Sequence, residues 1–351
     1  MTKTNDLWLL VRLVATYVGA VIGAGFASGQ EILQFFILYG YQGLLGTALA
    51  SILFAYLGAL VLYLSVKLRA GSYQEVLNYL MGSWAGRFMD ILSLFMLAGG
   101  LGVMLAGSGA VVEEYLGISR WIGIGISLGI VITVIFHGLQ GLLTINVILV
   151  PVKLLGVCLI ASLALAYHGL PEQLVIVPSQ GIGGHWWGSS ILYVSFNMVV
   201  PLAVLASMGR YTTKKIAIYA GILGGLALGG AVTLVTLAGL AFYPAVTEYE
   251  VPMLYLASQV SVYLRPLFAL LIWLAILTTA VANAHGFASR LAPTSGRWYR
   301  IYGIAVCLLV LPLTSLNFSS LVKSVYPLFG YAGLVMLTAL LVVPVGKSLR
   351  R

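Results

Sequence analysis

Few residues in this chain can do chemistry, and most of them stand where charge is expensive. Lys153 lies in VPVKLLGVCLI, an apolar run otherwise free of charge. A helix drawn through that run puts it about 16 Å from the inner end at 1.5 Å per residue. A lysine at such depth costs about 2.5–3.5 kcal/mol on insertion scales, and intramembrane charges usually face a cavity. Snorkelling suits helix ends better than the middle. An amine that can lose its proton inside the membrane is a coupling site for protons. Glu31 closes Ser28-Gly-Gln-Glu31, which has the spacing of a capping box. Its alternative roles are counter-ion to a substrate amine or proton carrier, since a carboxylate within a span needs a partner. Ala275, Thr278 and Thr279 share one helical face at i, i+3 and i+4. A carbonyl and two hydroxyls there suit sodium, although membrane threonines also bond the carbonyl four residues back. Ser195 and Asn197, in SFNMVVP, could recognise a substrate's amine or side chain, or act as interhelical glue.

The elements that must position these groups begin with Gly19–Gln30, GAVIGAGFASGQ, which holds glycine at 19, 23, 25 and 29. Each interior glycine costs a helix about 0.8–1 kcal/mol relative to alanine. The apolar segment 7–39 would also span about 50 Å as one helix, against a hydrocarbon core of about 30 Å. A helix interrupted in mid-membrane explains both features, and such a break is tolerated only where the freed backbone lines a cavity. With an unwound patch near 23–27, a second half-helix starts near Ser28, and its free N–H groups form an anion site. Close helix packing through small residues is the competing explanation of the glycines.

Composition sets the class. The chain is 61% hydrophobic and 8% charged, with a mean hydropathy of +1.06; soluble domains carry about 25% charged residues. This predicts an all-α integral membrane protein, a single domain over residues 1–351. Ten spans are expected near 8–39, 43–66, 88–112, 121–137, 142–167, 187–208, 214–242, 264–289, 299–316 and 320–345. The net charge of +9 follows the loops and does not point to nucleic acid. With the N-terminus inside, Lys3, Arg12, Lys67, Arg69, Arg87, Arg210, Lys214, Lys215, Arg290, Arg297, Arg300, Lys347, Arg350 and Arg351 are cytoplasmic, fourteen of eighteen cations. Glu113, Glu114, Glu172, Glu248 and Glu250 fall in the opposite loops. Both termini are thus predicted cytoplasmic, in a multi-pass protein of the cell membrane. Cys158 and Cys307 sit in apolar runs and suggest no disulfide framework. The first hydrophobic run is too long for a cleaved leader.

Two amphipathic pieces, Ser72–Met81 inside and Glu250–Val260 outside, would rest in the interface or lie over a cavity mouth. The polar connection Gly169–His185 divides the spans into repeats of about 7–168 and 186–346. Five spans is an odd number, so the second half enters from the opposite side, an inverted repeat. Pro201 then breaks the sixth helix where the glycines break the first. Breaks at corresponding places in two halves point to a transporter's binding site.

GAVIGAGFASGQE, the ten spans and the Lys153 context together resemble the YkvI-type membrane proteins, grouped with amino-acid permeases of the amino acid–polyamine–organocation superfamily. The resemblance covers essentially the whole chain. It implies a LeuT-type 5+5 fold with substrate between broken helices 1 and 6. It implies that Gly23, Ala24, Gly25 and Ser28 hold an amino acid's carboxylate. Sodium-coupled members of the superfamily pair a triplet like Ala275, Thr278 and Thr279 with first-helix carbonyls matching Gly19 and Ile22. Phe26 stands where a second sodium site needs asparagine, so at most one sodium is implied. Some related permeases place a lysine amine in the sodium's space, as Lys153 would.

These readings converge on a secondary active transporter of an amino acid or similar small amine, working by alternating access. Coupling to protons through Lys153 is favoured over sodium, because a buried lysine demands explanation and two threonines do not. A membrane-embedded enzyme lacks support: HExxH, paired mid-membrane aspartates and a serine–histidine arrangement are all missing from the sequence. No nucleotide-binding loop or other cofactor motif is present. A passive channel or facilitator is the remaining alternative.

Overall fold

The computed structural model describes residues 3–70, 73–137, 140–171, 181–292 and 296–349, and every regular element among them is a helix. A backbone flanked by apolar side chains has no partner but itself in an apolar medium, and a helix satisfies it within one segment. The first hydrophobic segment is divided into α1 (Lys3–Val21), α2 (Ala24–Ser28) and α3 (Gln30–Phe35). There follow α4 (Tyr41–Leu68), α5 (Tyr73–Leu116), α6 (Arg120–His137) and α7 (Gln140–His168). The predicted connection 169–185 lies largely at 172–180, outside the described residues, as does Glu172. Beyond it come α8 (Trp186–Asn197), α9 (Val199–Ala206), α10 (Lys214–Ala241), α11 (Pro252–Val260), α12 (Leu264–Leu291), α13 (Arg297–Leu309) and α14 (Phe318–Leu349). Eight of the described helices are long and apolar enough to cross a membrane: α4, α5 from Gly86, α6, α7 from Leu149, α10, α12, α13 extended to Ser315, and α14 to Val343.

The helices pack in two groups. In one, α10 lies along α4, with α1, α8 and α9 against them. The closeness of α4 and α10 follows from small residues: a Cβ at Gly221 or Gly225 would strike the backbone of Ala59 or Ala55, and one at Gly229 would strike Ser51. In lipid such close contact supplies the association that hydrophobicity cannot. Tyr17 of α1 enters this seam where Gly58 and Gly224 lack side chains. Its hydroxyl is 2.8 Å from the Phe54 carbonyl, to which it donates, and 3.3 Å from Met198 Sδ. In the other group α5, α6, α12 and α13 pack together. Ser108 is a junction there: its hydroxyl lies 2.6 Å from Ser127 Oγ and accepts from Trp273 Nε1 at 2.8 Å, joining α5, α6 and α12. α7 bridges toward α10, α11 and α12, while α14 packs on α8 and α5.

Both predicted amphipathic pieces form helices, the second from Pro252 after a non-helical Glu250–Val251. Ser72 lies outside the described residues; from Tyr73 the helix runs to a sharp bend at Gly82, whose φ of 78° suits glycine. α11 buries Pro252, Met253, Leu254, Leu256 and Ala257, against α2, α3, α7 and α12. Glu114 Oε1 accepts from the backbone N–H groups of Glu250 and Val251 just before α11. Glu250 Oε2 accepts from the Phe318 N–H at 2.8 Å, opening α14. Two carboxylates thus tie α11 to the ends of α5 and α14, and burial pushes the Glu250 carboxyl above its ordinary value.

Candidate functional site

Helical bonding in the first segment lapses at Ile22–Gly23. The Gly23 N–H turns back to the Val21 carbonyl at 2.8 Å, and the next bond across the joint is Ala27 N–H to Gly23 O at 3.1 Å. The carbonyls of Gly19, Ala20 and Ile22, and the N–H groups of Ala24, Gly25 and Phe26, consequently have no backbone partner among the described residues. This lapse is shorter than the expected patch and lies nearer the N-terminus, because Ala24–Ser28 keeps its own helical bonds. Free N–H groups therefore precede Ser28, and those of Glu31 and Ile32 at the start of α3 also lack a backbone partner among the described residues. A second joint follows at Gly29, with φ of 81°, where a Cβ would be 2.8 Å from the Met253 side chain in α11.

The capping box does not form. Gly29 is the N-cap of α3 and supplies no side chain. Ser28 Oγ donates to the Gly25 carbonyl at 2.8 Å and accepts weakly from the Gln30 N–H at 3.3 Å. Glu31 is released for another role. It is 5% exposed, and the Asn197 side chain at the end of α8 lies beside its carboxyl. A Cβ at Gly25 would fall on that carboxyl, so this glycine serves as room for Glu31 rather than as a site of unwinding. Tyr193 of α8 and Tyr326 of α14 lie within electrostatic reach of it. Tyr193 packs against Phe35, Phe36, Phe54 and Phe196 at centroid distances of 4.9–5.9 Å.

In the sixth predicted segment the interruption is one residue, Met198, which keeps α-region angles. Pro201 stands at the third residue of α9, in the first turn, where its missing N–H is tolerated. Asn197 also donates to the Tyr193 carbonyl at 3.1 Å. Ser195 is not brought into this polar contact by any described hydrogen bond: its hydroxyl donates to the Ile191 carbonyl at 2.6 Å. Its own carbonyl faces Gly333 of α14.

Lys153 is 2% exposed, and no hydrogen bond or ion pair joins it to a described residue. Its position on α7 is bracketed by contacts one turn away on either side. A Cβ at Gly19 would be 2.7 Å from Val150, and one at Gly156 would be 3.4 Å from Phe268 and 3.6 Å from Leu271. Residues 150, 153 and 156 share one side of a helix, so Lys153 stands between the approach to α1 and the approach to α12. Thr278 and Thr279 both donate to the Ala275 carbonyl, at 3.1 and 2.8 Å. That oxygen is engaged within its helix, while those of Gly19 and Ile22 are free of backbone partners.

Sequence reasoning passed over Gln30, Gln34 and Tyr326. Gln30 is 1% exposed, and neither polar atom of its amide has a partner among the described residues; Gln34 Oε1 and the Tyr193 hydroxyl are likewise unpartnered there. The available signal was polar spacing: Gln30, Glu31 and Gln34 fall within about 100° of a helical wheel.

The two packed helix groups, the divided first segment and the buried polar groups beside it define a multi-pass membrane protein of the LeuT-type fold. Solved structures agree. An inward-facing conformation of Mhp1 superposes with a TM-score of 0.58 at 17% identity, over 91% of this chain and 72% of that one. A substrate-bound, outward-open sodium-coupled sialic acid symporter gives 0.58 at 13%, over 94% and 78%. At these identities the likeness is one of fold. No family model matches the chain. Among curated proteins it is 30% identical over 337 residues to the uncharacterized membrane protein YkvI of Bacillus subtilis, covering 94% of both chains. It is 32% identical over 348 residues to the uncharacterized protein YyaD of the same organism, covering 96% of both. The chain belongs to the YkvI family of membrane proteins. The solved structures it resembles are transporters, and an enzymatic reading has no counterpart among them.

Proposed function

We propose that this protein is a secondary active transporter of an amino acid or similar small amine, working by alternating access and coupled to protons through Lys153. The observation that carries the reading is Lys153, buried and without a hydrogen bond or ion pair among the described residues, one turn along α7 from Val150, which meets Gly19 of α1. Substrate would meet the unpaired backbone around Gly23, Ala24 and Gly25, with Ser28 behind them and Asn197 across from them; Ser195 is a weaker candidate, its hydroxyl being engaged locally. Eight continuous spans and the two divided segments make ten, arranged as a 5+5 inverted repeat. Both termini then face the cytoplasm, with most cations on that side. The group containing α1, α4, α8, α9 and α10 would rock against the group containing α5, α6, α12 and α13.

A sodium-coupled version rests on one specific observation. The carbonyls of Gly19 and Ile22 lack backbone partners and could join Ala275, Thr278 and Thr279 around an ion. Both threonine hydroxyls donate to the Ala275 carbonyl, which leaves their lone pairs open to an ion; the sodium version ranks second because a buried lysine demands an account and two threonines do not. Uptake into proteoliposomes, measured over a panel of amino acids and amines with sodium and pH gradients imposed separately, decides between them. Accumulation is expected with a pH gradient alone, and Lys153→Ala should lose at least ten-fold of it. Accumulation driven by sodium at uniform pH and retained in Lys153→Ala would overturn proton coupling.

A further inference from the structure

The Glu31 neighbourhood has an unbalanced inventory. It holds one carboxyl, the amide of Asn197 and the phenols of Tyr193 and Tyr326; on α3, Gln30 precedes Glu31 and Gln34 follows it by three residues. No lysine or arginine among the described residues pairs with Glu31. A buried carboxylate without a cation is among the most expensive arrangements in a protein. Unpartnered buried polar atoms add to the imbalance: both amide atoms of Gln30, Oε1 of Gln34 and the Tyr193 hydroxyl. Native proteins leave few such atoms, and each asks for an explanation. The space is also specifically kept, since Gly25 is the one residue type that leaves room for the carboxyl beside α2.

We infer that Glu31, with Asn197 and Tyr193, is the subsite for the substrate's ammonium group, and that Gln30 and Gln34 hydrogen-bond polar atoms next to that nitrogen. This rests on the transport reading above and narrows it: the substrate must carry a protonated amine. Lys153 is not among the groups that act electrostatically on Glu31. The ammonium supplies the missing charge, and its three N–H donors fit a carboxylate, a phenol oxygen and an amide oxygen.

The test is binding to purified full-length protein in nanodiscs, by thermal shift and calorimetry. The probes are the twenty L-amino acids, isoamylamine and putrescine, with the hydroxy analogue of any probe that binds. At least one amine is expected to stabilise the wild type, and its hydroxy analogue to bind at least ten-fold more weakly. Glu31→Gln should weaken the amine at least ten-fold. Tyr193→Phe deletes a hydroxyl that has no hydrogen-bond partner among the described residues, so it should fold normally while weakening the amine at least three-fold. A purely structural tyrosine would leave binding unchanged. If amine and hydroxy analogue bind alike, or if Tyr193→Phe and Glu31→Gln bind the amine as the wild type does, the subsite is wrong and the transport reading survives. If no probe binds the wild type, the substrate class and the subsite fall together.

Discussion

At the residue scale, Gly25 and Glu31 show how position changes the meaning of a residue. Read along the chain, the glycines of GAVIGAGFASGQ suggested a helix that comes apart, and Ser28-Gly-Gln-Glu31 suggested a cap. In space, Gly25 is helical and exists to make room, while Glu31 lies beside Asn197, 166 positions away. The pairing predicts a specific coupling. Gly25→Ala forces a methyl into the Glu31 carboxyl and should cost about 1–3 kcal/mol, the range for overpacking a tight core. In Gly25→Ala/Glu31→Ala the methyl finds space, so the double variant should be more stable than the sum of the singles. Melting temperatures of the four proteins in detergent close the cycle; strict additivity would mean the two residues do not touch.

At the scale of elements, the α4–α10 seam and the α11 anchor make separate predictions. Gly225→Val would push a branched side chain into the backbone of Ala55, so the helices must separate and Tyr17 must leave its slot. Folded yield by size-exclusion chromatography should collapse, whereas Gly230→Val, where a Cβ meets open space, should be tolerated. The α11 anchor is pH-sensitive through Glu250. Burial raises its folded-state carboxyl above the unfolded one, so the folded chain holds the proton more tightly. The stability this contributes is present at low pH and is lost as pH rises from the ordinary carboxylate range through the folded-state value. The melting temperature of the wild type relative to Glu250→Gln should therefore fall over that window; a constant difference would remove Glu250 as the cause.

At the scale of the whole molecule, the proposed ten spans with the N-terminus inside would require the C-terminus inside as well. Protease-cleavable tags at both ends should be cut in inverted vesicles and protected in intact cells. Termini on opposite sides would mean an odd number of crossings and would undo the inverted-repeat arrangement. The same experiment bears on α8 and α9, since dropping that segment as a crossing reverses the side of everything after it.

Much of this was legible in the order of residues. Apolar runs separated by charge specify membrane helices, because a buried backbone must bond within its own segment and charged groups resist leaving water. The segment bounds, the oddity of Gly19–Gln30 and the cost of Lys153 all follow from that local physics, as does α11 from its apolar face and opening proline. What tertiary structure decided were the partnerships. Met198 gives the sixth segment a slighter interruption than Pro201 suggested, because a proline in a helix's first turn breaks no bond. The threonine hydroxyls turn to their own helix, Ser195 is likewise bonded within α8, and Gln30 and Tyr193 keep unanswered polar atoms. Such outcomes depend on which faces meet across more than a hundred residues, and hydrogen-bond satisfaction belongs to that meeting rather than to either strand of sequence alone.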